Sequence, residues 1–322
     1  MTQKSKRKNK FTFGETFSII ASIFLFVLLM KNSRLVTIEA SNALKTCATL
    51  LIPSLFPLTV ASELLTSSGA LEKVSIKLQR ISSKLFGITK TSSAPYFLGV
   101  LGGYTSSCKS AVILYENGEI TKEDCESVIS ISNMPSLAFI TGFVGPEILN
   151  SASDGWILWF ISVVSTFILG IVNKIFRKSA MLSHSNVTAI NSKVKKKKLS
   201  KMIVDAIAHS AHAMLLICAC VVFFSVLIRV LEFTLISLEI PFEIQNLMLG
   251  SLEITHGISI CQGIDNELLK RVLCAFFIGW SGLCVHFQVI ALCDNSDISF
   301  KKYFLFKILQ GLICATLAWI VF

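Results

Sequence analysis

Residues 97–124 read FLGVLGGYTSSCKSAVILYENGEITKED. An apolar run breaks at Gly102-Gly103, passes through Tyr104, Thr105, Ser106, Ser107, Cys108 and Lys109, turns apolar again and ends in an acidic turn. The pattern returns at residues 276–302, FFIGWSGLCVHFQVIALCDNSDISFKK, where Gly279 and Gly282 follow Gly99 and Gly102 by 180 residues. The turn Glu116–Thr121 is matched in kind by Asp294–Ser299. An apolar segment interrupted by glycine and hydroxyl residues, present once in each half of a chain, points to a transporter-type site between repeats.

Composition agrees with a membrane setting. Of 322 residues, 53% are hydrophobic and 16% charged, against about 25% charged in soluble domains. The apolar residues form long uncharged runs, the pattern of a polytopic membrane protein. The net charge of +10 then belongs to loops facing anionic head groups. No soluble basic domain is present to bind nucleic acid. The ten cysteines fall mostly inside apolar runs without a CxxC, so they read as small buried hydrophobes. The basic start MTQKSKRKNK and the apolar run to Met30 lack a small-x-small cleavage site, which predicts an uncleaved first span.

Outward from the broken stretch, Phe11–Met30 is the first span and Thr46–Ser62, with Pro53 and Pro57, the next. Residues 67–92 alternate apolar and basic residues, as either an amphipathic segment on the cytoplasmic leaflet or a solvated connector does. Ser127–Pro146 is uncharged for 20 residues, Gly155–Asn173 for 19 and Ala206–Ile228 for 23, and Ile308–Phe322 closes the chain. Residues 174–201 are the most basic stretch and predict a cytoplasmic linker. The expected units are a tail with the first span (1–42), a first membrane repeat (43–176), the linker (177–201) and a second repeat (202–322).

Charge parity then fixes a topology. With the N-terminus, 67–92 and the linker all cytoplasmic, 94–115 is expected to enter and leave on one side as a re-entrant hairpin, the alternative being a full crossing that leaves the linker on the far side. Its counterpart 272–293 is expected to open to the far side, and 308–322 to return inward. The sequence therefore predicts an all-α polytopic membrane protein, an inverted repeat with two broken or re-entrant helical hairpins and about 6–8 membrane passes, the hairpin tips meeting near the midplane.

The candidate binding residues follow from chemistry. Broken helices present backbone N–H groups and a positive dipole end to an anion, here at Gly102 and Gly103. Thr105, Ser106 and Ser107 add hydroxyls. Lys109 costs about 2.5–3.5 kcal/mol at membrane depth and should face a cavity, unless it snorkels to the interface. His286 and Gln288 stand at the second break, Asn133 precedes a proline inside a span, and Glu253 and His256 lie in LEITHG. No metal site, nucleophile elbow, P-loop or HExxH is visible, so neither catalysis nor ATP-driven pumping is expected; a proton or sodium ion is the one coupling partner considered.

Five stretches resemble, in order, the YlbJ-type family of sporulation integral membrane proteins: LIPSLFPLTVASELL (51–65), GGYTSSCK (102–109), SNMPSLAFITGFVG (132–145), LEITHGI (252–258) and SGLCVHFQV (281–289). The family pattern reads GYPxG where Thr105 and Ser107 stand, and has asparagine at the position of His256. The resemblance implies two nucleoside-recognition Gate domains, a fold related to concentrative nucleoside transporters, and movement of dipicolinic acid from mother cell to forespore across the surrounding membrane. The expected partners are a small anionic substrate and the lipid bilayer, with other copies or other sporulation membrane proteins as assembly candidates. A nucleoside permease and a non-transporting scaffold are the alternative functions.

Overall fold

The computed structural model describes residues 13–68, 79–80, 82–177, 199–294 and 296–322, which are helical with no strand among them. The basic tail 1–10, much of the amphipathic segment 67–92 and most of the linker 174–201 lie outside these residues. Helix α1 spans Phe13–Lys31, and α2, Ser33–Thr46, runs through a π turn at Cys47–Leu51 into α3, Ile52–Ser67. The π turn stands just ahead of Pro53, whose ring and missing N–H disturb the preceding turn. The Ser54 hydroxyl donates to the Leu50 carbonyl at 2.7 Å.

The opening stretch folds as α4, Ser93–Gly102, and α5, Tyr104–Glu116. Gly103 joins them in the left-handed region, at φ 83°, which glycine adopts without penalty. The two legs run back on each other. A Cβ placed on Gly99 would lie 2.8 Å from Cβ of Ser107, whereas eight residues of continuous helix separate such atoms by about 12 Å. Residues 94–115 are thus a hairpin. Next come α6, Lys122–Ile131, and α7, Leu137–Phe139, which continues as a wide π segment Ile140–Ile148. Ser132–Ser136 between them is not helical. The uncharged run 127–146 is therefore a broken span, interrupted where Asn133 and Pro135 stand. Helix α8, Ala152–Arg177, follows.

The second half repeats this order. Helix α9 spans Leu199–Ser237, α10 Phe242–Gly250, α11 Ile254–Ile260, α12 Glu267–Trp280, α13 Gly282–Leu292 and α14 Lys301–Val321. Here the expectation from sequence needs correction. The second hairpin is α10–α11, whose legs touch where a Cβ on Gly257 would meet the Gly250 carbonyl at 2.5 Å. Residues 272–293 do not fold back. They form the second broken span, α12–α13, kinked through Ser281 at φ 72° and Gly282 at φ 79°. The true counterpart of 272–293 is the broken span 122–148.

Ion pairs identify the two ends of the bundle. At one end Arg177 meets Asp124 at 2.6 Å and Glu123 at 3.2 Å. Neighbouring Lys122 reaches Asp297 at 2.8 Å. Hydrogen bonds from Lys122 and Tyr115 hold the Asp297 carboxyl below its ordinary value. At the other end of α8, Asp154 takes Arg271 at 2.7 Å, and the Arg271 guanidinium lies 5.3 Å from the Phe322 ring centroid. A 26-residue helix such as α8 is about 39 Å long, so α12–α13 crosses the full thickness between Arg271 and Asp297. Because it crosses, α14 starts at the Arg177 end and finishes at the other, opposite to the inward return expected of 308–322. Among the described residues five stretches are long and apolar enough to span a bilayer: Ser33–Ala61, Ala152–Arg177, Leu199–Glu232, Glu267–Leu292 and Lys301–Val321. Their exposed Phe160, Ile175, Leu215 and Trp319 present apolar surface to lipid.

Candidate functional site

Both hairpin tips, the first break and the second broken span face one cavity of about 730 Å³. The first hairpin contributes Gly102, Gly103, Tyr104, Thr105, Ser106 and Lys109, and the first break contributes Pro135 and Ser136. The second hairpin supplies Glu253, Ile254 and Thr255, and the second broken span Cys284 and Gln288. Helices α3 and α9 wall the remaining side with Glu63, His209, Ser210 and His212. His209 Nδ1 lies 3.1 Å from the Glu63 carboxylate.

Each tip packs on the break of its own half. A Cβ on Gly103 would sit 2.9 Å from the Ser136 nitrogen, and one on Gly282 the same 2.9 Å from the Ile254 nitrogen. These contacts bring four half-helix N-termini to the cavity, and three already have acceptors. The Ser136 hydroxyl accepts from Phe139 N–H at 3.2 Å. The Glu253 carboxylate accepts from Thr255 N–H at 2.9 Å and His256 N–H at 2.7 Å. The amides of Leu283 and Cys284 donate to the Ser251 and Leu252 carbonyls at 3.1 and 2.9 Å. Helix α5 alone among the four starts with no side-chain cap and no such partner. Its first-turn N–H groups, with the positive end of its dipole, are open to a ligand. Thr105, Ser106, Lys109 and Ile113 lie on one face of α5 at helical spacing and line the cavity. Among the described residues Lys109 has no carboxylate partner.

Gly102, Gly103, Thr105, Ser106, Lys109, Glu253 and Gln288, all candidates from sequence, thus meet in one cavity. The other four candidates do not line it. Ser107 is buried with its hydroxyl bonded to that of Ser132. Asn133 is buried on the far side of the break, its carbonyl taken by Lys307 at 2.8 Å. His256 sits in α11, offering its backbone N–H to Glu253. His286 is fully buried, its Nδ1 2.8 Å from the Tyr303 hydroxyl and its ring edge-on to Trp280.

Residues not foreseen complete the site. The Tyr104 hydroxyl donates to Gln288 Oε1 at 2.9 Å, tying the first hairpin to the second broken span. Its position directly after Gly102-Gly103 was the available signal. Ser136, after the break proline, and the α3–α9 pair Glu63 and His209 carried none, because only the tertiary fold brings them in.

The fold and site define a class: an all-α polytopic membrane protein in which paired hairpins and broken spans enclose a central cavity, apolar over most of its wall and polar at the hairpin tips. Over 329 aligned residues the chain is 26% identical to the Sporulation integral membrane protein YlbJ of Bacillus subtilis (strain 168), an alignment covering 92% of this chain and 80% of that protein. Over nearly its whole length the chain is thus similar to a sporulation integral membrane protein of the YlbJ type. No family model matches it, and no solved structure matches it.

Proposed function

We propose that the protein carries a small aromatic anion, dipicolinic acid, from mother cell to forespore by secondary or facilitated transport, and that it catalyses no reaction. The observation behind this reading is the N-terminus of α5, without a side-chain cap, set beside the Thr105 and Ser106 hydroxyls and Lys109, which has no carboxylate partner among the described residues. A flat dicarboxylate finds there backbone donors, hydroxyls and one ammonium, the groups that bind carboxylates best. A volume of about 730 Å³ is within the usual range for small-molecule sites, roughly 300–1,000 Å³. The Lys and Arg excess that begins at Lys174 and Arg177 supports placing the Arg177 end toward the cytoplasm of the mother cell. The first hairpin then opens to that side and the second to the opposite side, the arrangement of an inverted repeat with two Gate-type halves.

A second reading, an ion-coupled nucleoside permease, draws on the opposite wall, where Glu253 and Gln288 supply the carboxylate and amide suited to a neutral base and ribose. Uptake of labelled dipicolinate into proteoliposomes, with uridine as competitor, separates the two. Saturable dipicolinate uptake that falls at least about tenfold in Lys109→Ala, the loss of one charge-assisted contact worth about 1.4 kcal/mol or more, is the expected result. Uridine uptake in its place assigns the site to nucleosides, and no flux of either from folded protein assigns the chain a scaffold role.

A further inference from the structure

Lys307, on α14, is fully buried, and the substrate reading makes no use of it. Its ammonium has three donors and three acceptors: the Asn133 carbonyl at 2.8 Å, the Ser281 hydroxyl at 3.0 Å and Gln310 Oε1 at 2.8 Å. None is a carboxylate. Asn133 lies in the break of the first broken span, just past the C-terminus of α6. Ser281 is the break of the second, at the C-terminus of α12, and its hydroxyl passes its own proton to the Ile278 carbonyl at 3.1 Å. One side chain therefore joins the two broken spans at their interruptions.

The charge balance explains how a cation survives there without a counter-ion. A helix C-terminus carries about half a negative elementary charge. Two such ends converge on Lys307, so their sum offsets one ammonium. The Asn133 side-chain oxygen, buried and without a hydrogen-bond partner among the described residues, adds a further acceptor at the first break. Oxygen donors at unwound backbone and half-helix C-termini are the surroundings in which broken-helix carriers hold a dissociable monovalent cation.

We propose that Lys307 is a tethered substitute for such a cation: its ammonium occupies an oxygen nest that would otherwise take an alkali ion, and it holds the two breaks together permanently. The nest in the native chain is then closed to sodium, and removing the ammonium opens it.

The test is thermal unfolding of the full-length protein in lipid nanodiscs, in sodium, lithium, potassium or choline chloride at equal ionic strength. Wild type should unfold at the same temperature in all four salts. Lys307→Ala and Lys307→Gln should unfold at lower temperature in choline and recover by roughly 3 °C or more in one of the alkali salts, as a ligand specific to the folded state does. Lys307→Met, which fills the space without leaving room for an ion, should be destabilised and insensitive to the salt. A sodium-specific shift in wild type, or equal unfolding temperatures of Lys307→Ala in alkali and choline salts, overturns the proposal. If the neutral variants do not accumulate in choline, recovery of folded Lys307→Ala on extraction in an alkali salt supports it, and recovery in none refutes it. The readout is stability rather than flux, so its outcome is independent of the substrate.

Discussion

Gly103 and Gly118 both have left-handed backbone, at φ 83° and 72°, but their surroundings differ. A Cβ at Gly103 meets the Ser136 backbone, while one at Gly118 meets nothing within 4 Å. Gly118→Ala is expected to cost only the backbone term, about 1 kcal/mol. Gly103→Ala should cost more, roughly 2–4 kcal/mol, because the tip can no longer seat on the break. Unfolding temperatures of the two variants side by side check this. At this scale the sequence was informative wherever a residue type is costly in its setting. Lys109 and Glu253 in apolar surroundings announced the cavity. Lys307, one residue ahead of the closing run 308–322, gave no such signal, since the oxygens that surround it come from residues 133, 281 and 310. Asn133 drew notice for its place before a proline inside a span and His286 for its place at the second break, but both are buried away from the cavity.

Among the elements, the first hairpin was legible from its two glycines and from charge parity. The second was misplaced because the repeat was matched on glycine spacing and on the acidic turns, which pair a hairpin with a broken span. The segment that folds as α10–α11 offers short legs and the charged residues Glu243 and Glu253, so it lacks a strong membrane signal; its closure depends on contact between Gly250 and Gly257. Gly257→Val is expected to separate these legs and abolish recovery of monodisperse protein. Gly263→Val, three residues past α11 and facing open space, should purify like wild type. Size-exclusion profiles after detergent extraction decide the matter. The broken span at 122–148 was read as a plain crossing for a related reason: its uncharged run is long enough to cross, and Pro135 by itself marks a kink rather than a five-residue interruption.

For the molecule as a whole, the sequence identified the all-α membrane class, while the direction of the last helix depended on which segment folds back. The ion pairs at the two ends settle the relative direction of the crossings, and this carries a topological expectation. A cysteine introduced at Gly118 should react with an impermeant maleimide from the side of the Lys-rich linker, and one at Asp265 from the opposite side, in a background cleared of the native thiols. Labelling of both from one side would contradict the crossing of α12–α13. Eight of the ten native cysteines are buried and all are free, which keeps that background attainable.

The doubled hairpin has one more implication. Between the cavity and either aqueous compartment stands a barrier of the same make, a short hairpin seated on a broken helix. A gate copied on both faces has no built-in valve. If the proposed transport holds and no ion is coupled to it, net flow would follow the difference in chemical potential of the cargo, and one-way delivery would have to be maintained by whatever consumes the cargo at its destination.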